Sequence, residues 1–152
     1  MSRTTTDLEA FIRSKADGTA QGEPEVDWQA RKSDWLKRIA DLYAVIRKWL
    51  APLEKDGVVR FLTANVTIQE EQIGSYGVEV LTILIGKQRV AFYPKGTLII
   101  GADGRIDIRG QRAVRTIILS DGEWHLVERT PKLKVLPFDQ NSFQDLLSEV
   151  ME

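Results

Sequence analysis

Residues Thr97–Gly110 read TLIIGADGRIDIRG, and this stretch decides the fold. Leu98, Ile99 and Ile100 run into Gly101-Ala102-Asp103-Gly104, after which Ile106 and Ile108 alternate with Arg105, Asp107 and Arg109. Alternation with a period of two sets the isoleucines on one face of a strand and the charges on the other. Asp-Gly between two such runs signals a hairpin, because both residues tolerate the positive φ of a primed turn, so positive φ is expected at Gly104. The same pattern recurs on either side. Ser120-Asp121-Gly122 divides Val114–Leu119 from Glu123–Glu128, and Gly86-Lys87-Gln88 divides Val78–Ile85 from Arg89–Tyr93. Turns this short join antiparallel strands, since a parallel return needs a crossover of a dozen or more residues.

The sheet is therefore expected over residues 58–136. Its first strand is Val58–Gln69, with a bulge near Phe61-Leu62 where the alternation slips. Glu70, Glu71 and Gln72 form a solvated turn. Val78–Ile85, apolar at nearly every position, reads as a central strand covered on both faces. Leu133 and Val135 belong to a short edge strand between Pro131 and Pro137.

Ahead of the sheet lies a helical pattern over residues 27–55. Trp35, Ile39, Leu42, Ile46, Trp49 and Leu53 recur at spacings of three and four, widened by Leu36, Tyr43 and Leu50. That is the apolar stripe of a helix packed on a core. Asp27 or a neighbour caps it, and Pro52 is expected to end or kink its last turn. Thr6-Asp7-Leu8-Glu9 fits a capping box and starts a short helix over residues 7–15. The polar, glycine-bearing residues 16–26 form a linker. At the other end Ser142 caps a helix over residues 142–151, with Phe143, Leu146, Leu147 and Val150 on one face. The expected fold is α+β, a single domain over residues 1–152. A long N-terminal amphipathic helix packs on a curved antiparallel meander of six to seven strands, followed by a short C-terminal helix.

Composition narrows the chemistry. The 152 residues contain no cysteine and one histidine, His125. Disulfides are excluded, a standard zinc site nearly so, and a reducing, cytoplasmic setting fits. The start has no apolar run resembling a signal peptide, and Val78–Ile85 is too short to span a bilayer as a helix. His125, on a strand beside Trp124, reads as a packed or surface residue rather than a catalytic base. Asp103–Asp107 lacks the oxygen ligands and closing glutamate of a calcium loop. Gly74-Ser75-Tyr76-Gly77 lacks the lysine and helix of a phosphate cradle. No enzymatic activity, metal or cofactor is expected.

What remains is charge. The net charge of −1 conceals a block of +5 at residues 86–115, flanked by −2 over residues 57–85 and −4 over residues 116–152. Lys87, Arg89, Arg105, Arg109, Arg112 and Arg115 are the anion-binding candidates, with Arg105 and Arg109 on one strand face. The alternative is an exposed sheet surface whose cations pair with Asp107, Glu123 and Glu128 across strands. Trp28 and Trp35, near the start of the long helix, are interface candidates for a protein partner or a homodimer. The function that follows is a non-catalytic protein interaction module, with anion or nucleic-acid binding through the basic strand face as the alternative. Only Phe92 and Tyr93 supply aromatics for nucleobase stacking in that block.

Overall fold

Asp27 caps the first helix of the described residues, its carboxylate accepting the Ala30 N–H at 3.0 Å. The helix, α1, spans Trp28–Lys55 in a computed structural model that describes residues 26–97, 102–128 and 132–152. The expected helix over residues 7–15 and all but the last residue of the expected linker lie outside the described residues. Pro52 does not end α1. It sits in the last turn, where it forfeits a single donor, and its own carbonyl accepts the Asp56 N–H. Gly57, at φ 77°, then turns the chain into the sheet.

The sheet has seven antiparallel strands in the order β1-β2-β3-β4-β5-β6-β7. They are β1 (Val59–Glu70), β2 (Gly74–Ile85), β3 (Gln88–Gly96), β4 (Gly104–Arg109), β5 (Val114–Ser120), β6 (Glu123–Glu128) and β7 (Lys134–Pro137). Helix α2 (Gln140–Val150) closes the described chain, and the fold is α+β. The meander does not close into a barrel, because β1 and β7 each have one neighbour. Asp139, rather than Ser142, is the N-cap of α2. Its carboxylate takes the Ser142 N–H at 2.9 Å, and the Ser142 hydroxyl accepts the Asp139 N–H at 2.8 Å.

Both helices lie on one face of the sheet. Trp35, Ile39, Leu42, Tyr43 and Ile46 of α1 and Phe143, Leu146 and Val150 of α2 meet Leu81, Ile83, Phe92, Ile106, Ile108, Ile117 and Leu126 in one core. Full burial of such a side chain stabilises by about 1.5–3 kcal/mol, so this layer supplies the main driving force. Trp49 is only partly buried, packing at ring-centroid distances of 5.4 Å from Phe143 and 6.0 Å from Phe138. Leu53, the last member of the expected stripe, is exposed.

The β1–β2 ladder runs without a shift from Val59↔Ile85 to Glu70↔Gly74, so the expected bulge at Phe61-Leu62 is absent. The change of face falls on β2 instead, where Tyr76, Val78 and Val80 are buried and then Leu81 and Ile83. From Val80 back to Gly74, β2 pairs with β1 alone. A two-stranded ribbon twists more steeply than a wide sheet, which lets even-numbered positions join odd-numbered ones in the core. β2 is second from the edge, and β4 is the central strand. The β3–β4 ladder shifts register between Pro94 and Gly96, where β3 carries a residue with no N–H to give.

Gly104 departs from expectation. It is absent from the glycines at positive φ, and it begins β4 as ordinary extended chain. It must be glycine for another reason, since a Cβ there would lie 2.2 Å from the Trp35 ring. Leu98–Ile100, the first arm of the expected hairpin, and Gly101 lie outside the described residues.

Candidate functional site

The face of the sheet opposite the helices holds the charged half of the alternation. In β4, Ile106 and Ile108 are fully buried under the helices, while Arg105, Asp107 and Arg109 point the other way. Strand register then places the remaining cations. Arg60 of β1 stands opposite Leu84 of β2, which stands opposite Arg89 of β3. One step along, Leu62, Thr82, Ala91, Arg109 and Val114 form the next row across five strands. Arg60, Arg89 and Arg109 therefore share one corner of the outer face, with Arg89 and Arg109 as diagonal neighbours about 7–8 Å apart at the backbone. All three are exposed, and among the described residues none has a carboxylate partner. The Arg109 guanidinium lies 5.6 Å from the Tyr93 ring centroid, and the Lys95 ammonium 5.8 Å from it. Leu62 and Val114 are half exposed beside them, at 51% and 49%.

The six cations singled out in the sequence do not form one cluster. Arg105 is held by Asp107, Nε to Oδ1 at 2.8 Å, and Asp107 also accepts from the Thr116 hydroxyl at 3.0 Å. Arg115 stands opposite Ile108 and so belongs to the helix face, where it pairs with Glu149 of α2 and Glu128. Lys87 and Arg112 sit in the β2–β3 and β4–β5 turns, both exposed at the same end of the sheet as Arg60 and Arg89. Arg60 was missed because it lies outside the basic block in sequence, and only register brings it beside Arg89. Of the interface candidates, Trp35 is 1% exposed and belongs to the core. Trp28, half-buried at the first position of α1, has the Arg31 guanidinium 5.9 Å from its ring.

A second polar constellation also escaped the sequence. Glu70, expected in a solvated turn, is 7% exposed. Its Oε1 accepts the Thr97 N–H at 2.6 Å and the Thr97 hydroxyl at 3.0 Å, and its Oε2 accepts the Tyr76 hydroxyl. Arg31 donates from Nη2 to the Thr97 carbonyl at 2.5 Å. A Cβ on Gly96 would stand 2.7 Å from Glu70 Oε1, so that glycine admits the carboxylate. Burial, reinforced by Glu70, pushes the Tyr76 hydroxyl well above the usual tyrosine range, and the Trp35 indole opposes the rise. Burial likewise raises Tyr43, whose hydroxyl donates to the Glu79 carbonyl at 2.7 Å. The Glu70 network ties the β1–β2 ribbon tip to the β3–β4 connection. Among the described residues its hydroxyls, those of Tyr76 and Thr97, are spent on the carboxylate. The sign visible beforehand was parity alone, since a three-residue hairpin sets Glu70 and Tyr76 on one face.

His125 lies opposite Ile118 and Pro137, and its Nδ1 is buried without a hydrogen-bond partner. Among the described residues no carboxylate pairs with it to orient it as a base. Among the described residues no group of three or more histidines or carboxylates is placed to hold a metal, and no helix is long and apolar enough to cross a membrane. No family model matches this chain, and no curated protein or solved structure matches it either.

Proposed function

We propose that this protein is a non-catalytic interaction module that binds an acidic protein surface through the Arg60–Arg89–Arg109 corner of its sheet, in a cytoplasmic setting. The observation that supports the reading is the combination found there. Three exposed guanidiniums, without carboxylate partners among the described residues, border Leu62 and Val114, two half-exposed aliphatic side chains. Arginine is enriched at protein interfaces, and apolar surface beside it favours a protein partner over a phosphate backbone. Nucleic acid is the weaker occupant, since Arg109 and Lys95 already lie against Tyr93, the aromatic ring of that corner.

The test is affinity capture with wild-type protein and with the variant R60E/R89E/R109E, followed by rebinding of each captured protein in purified form. Salt-sensitive binding of an acidic protein that the triple variant loses supports the reading. Equal binding by both proteins overturns it. Retention of oligonucleotides by the wild type alone, with a steep salt slope, transfers the site to nucleic acid.

A further inference from the structure

A separate cleft opens on the helix side, between α1 and the strands β6 and β7. Its volume is about 430 Å³, within the range of small-ligand sites, and Trp49, Trp124 and Phe138 line it together with Arg38, Asp41 and Glu123. The aromatic walls are held from behind. Trp124 packs on Trp35 at 5.9 Å between ring centroids, and Trp49 packs on Phe138 and Phe143 at 6.0 and 5.4 Å.

The charges of this cleft have one net sign. Among the described residues that line it Arg38 is the single cation, and that charge is already engaged. Its Nε lies 3.5 Å from the Asp34 carboxylate, and its Nη1 donates to the Gly122 carbonyl at 3.2 Å. Asp41 and Glu123, both exposed at the rim, have no ion-pair partner among the described residues. An aromatic face carries a negative quadrupole, so rings and carboxylates act in the same direction on a cation. A carboxylate-bearing ligand meets two like charges here, and a purely apolar one leaves both without a counter-charge.

We propose that the cleft binds a small organic cation of the quaternary ammonium class, its methyl groups against Trp49 and Trp124 and its charge facing Asp41 and Glu123. The probe is choline, set against 3,3-dimethylbutan-1-ol, which has the same shape without the charge. The readout is the indole N–H resonances in nuclear magnetic resonance spectra, assigned by Trp49→Phe and Trp124→Phe. Choline is expected to shift the Trp49 and Trp124 signals saturably, and the neutral isostere to bind at least about tenfold more weakly. The variant D41N/E123Q changes two exposed side chains, so it should keep its melting temperature while losing choline affinity about tenfold. Equal shifts with the isostere, unchanged affinity in D41N/E123Q, or no response to choline overturns the proposal. A trimethyllysine peptide that binds more than about tenfold tighter than choline overturns the small-molecule assignment and gives the cleft to a protein side chain.

Discussion

The dipeptide Asp-Gly occurs twice between strands of this sheet, and the two copies do different things. At Asp121-Gly122 both residues have positive φ, 52° and 77°, and the pair alone joins β5 to β6. At Asp103-Gly104 neither does, and β3 ends at Gly96 while β4 begins at Gly104. Near Gly122 a Cβ would meet no atom closer than the Arg38 guanidinium at 3.4 Å, whereas at Gly104 it would enter the Trp35 ring. The first turn is specified by its own backbone. The second is specified from outside, by Trp35 at one end and by the Glu70 carboxylate on Thr97 at the other. A local signal is sufficient only where no distant side chain competes for the same space.

Gly104→Val should therefore have the largest effect. The added side chain must displace a tryptophan that is 1% exposed, and overpacking of this severity costs about 3 kcal/mol. Denaturant unfolding measures it. In a Trp35→Leu background the same substitution should cost at least about 1 kcal/mol less, because the two sites share one volume. Strict additivity would break the comparison, since Gly104 would then be intolerant for a reason local to its backbone.

Glu70→Ala comes next. It leaves the buried Thr97 N–H without its acceptor and removes the acceptor of the Tyr76 hydroxyl, for an expected loss of about 2–3 kcal/mol. Amide exchange should quicken at Thr97 and Gly104 and stay unchanged at Glu123. Equal acceleration at both connections would mean that Glu70 supports the whole domain and not this one link.

The strands were legible because their cause is local. Alternation at Ile106 and Ile108, and the turns at Gly86 and at Asp121-Gly122, depend on residues a few positions apart, and the ladders follow them. The α1 stripe was legible for the same reason from Trp35 to Leu50. Features that depend on register were not. Arg115 looked like a companion of Arg105 and Arg109 until its pairing with Ile108 put it on the helix face, and Arg60 joined the corner only through Leu84. Glu70 looked solvated because nothing nearby in sequence announces that Thr97 will cover it. The bulge expected at Phe61-Leu62 failed similarly, since the slip in alternation reflects an edge strand exposed along most of its length.

Alkaline pH probes the anchored connection in another way. Tyr76 and Tyr43 both have hydroxyls raised above the unfolded value of about 10. The folded state keeps these protons where the unfolded state releases them. Stability is thus complete below about pH 10 and falls as pH rises above it, by up to about 1.4 kcal/mol per pH unit for each group. Tyr76→Phe should lower stability at neutral pH, through the lost bond to Glu70, and flatten the decline above pH 10. An unaltered slope in that variant would place the hydroxyl in water rather than on Glu70.

Gly122→Ala should have the smallest effect and give the comparison its control. Alanine at φ 77° carries the left-handed penalty of about 1 kcal/mol, and the new methyl group would meet only the far end of the Arg38 side chain, at 3.4 Å. Gly104→Ala has no such penalty, since its backbone is ordinary strand, yet its methyl group meets the buried Trp35 ring. The same atom is thus added at two Asp-Gly pairs, once against backbone preference and once against packing. Because Glu70 contacts neither Arg38 nor Gly122, the Gly122→Ala cost should add to that of Glu70→Ala within about 0.5 kcal/mol. A cost at Gly122 matching that at Gly104, or one that depends on Glu70, would mean that tertiary contacts beyond the exposed Arg38 bond to the Gly122 carbonyl hold the short turn, and the two connections would no longer differ in kind.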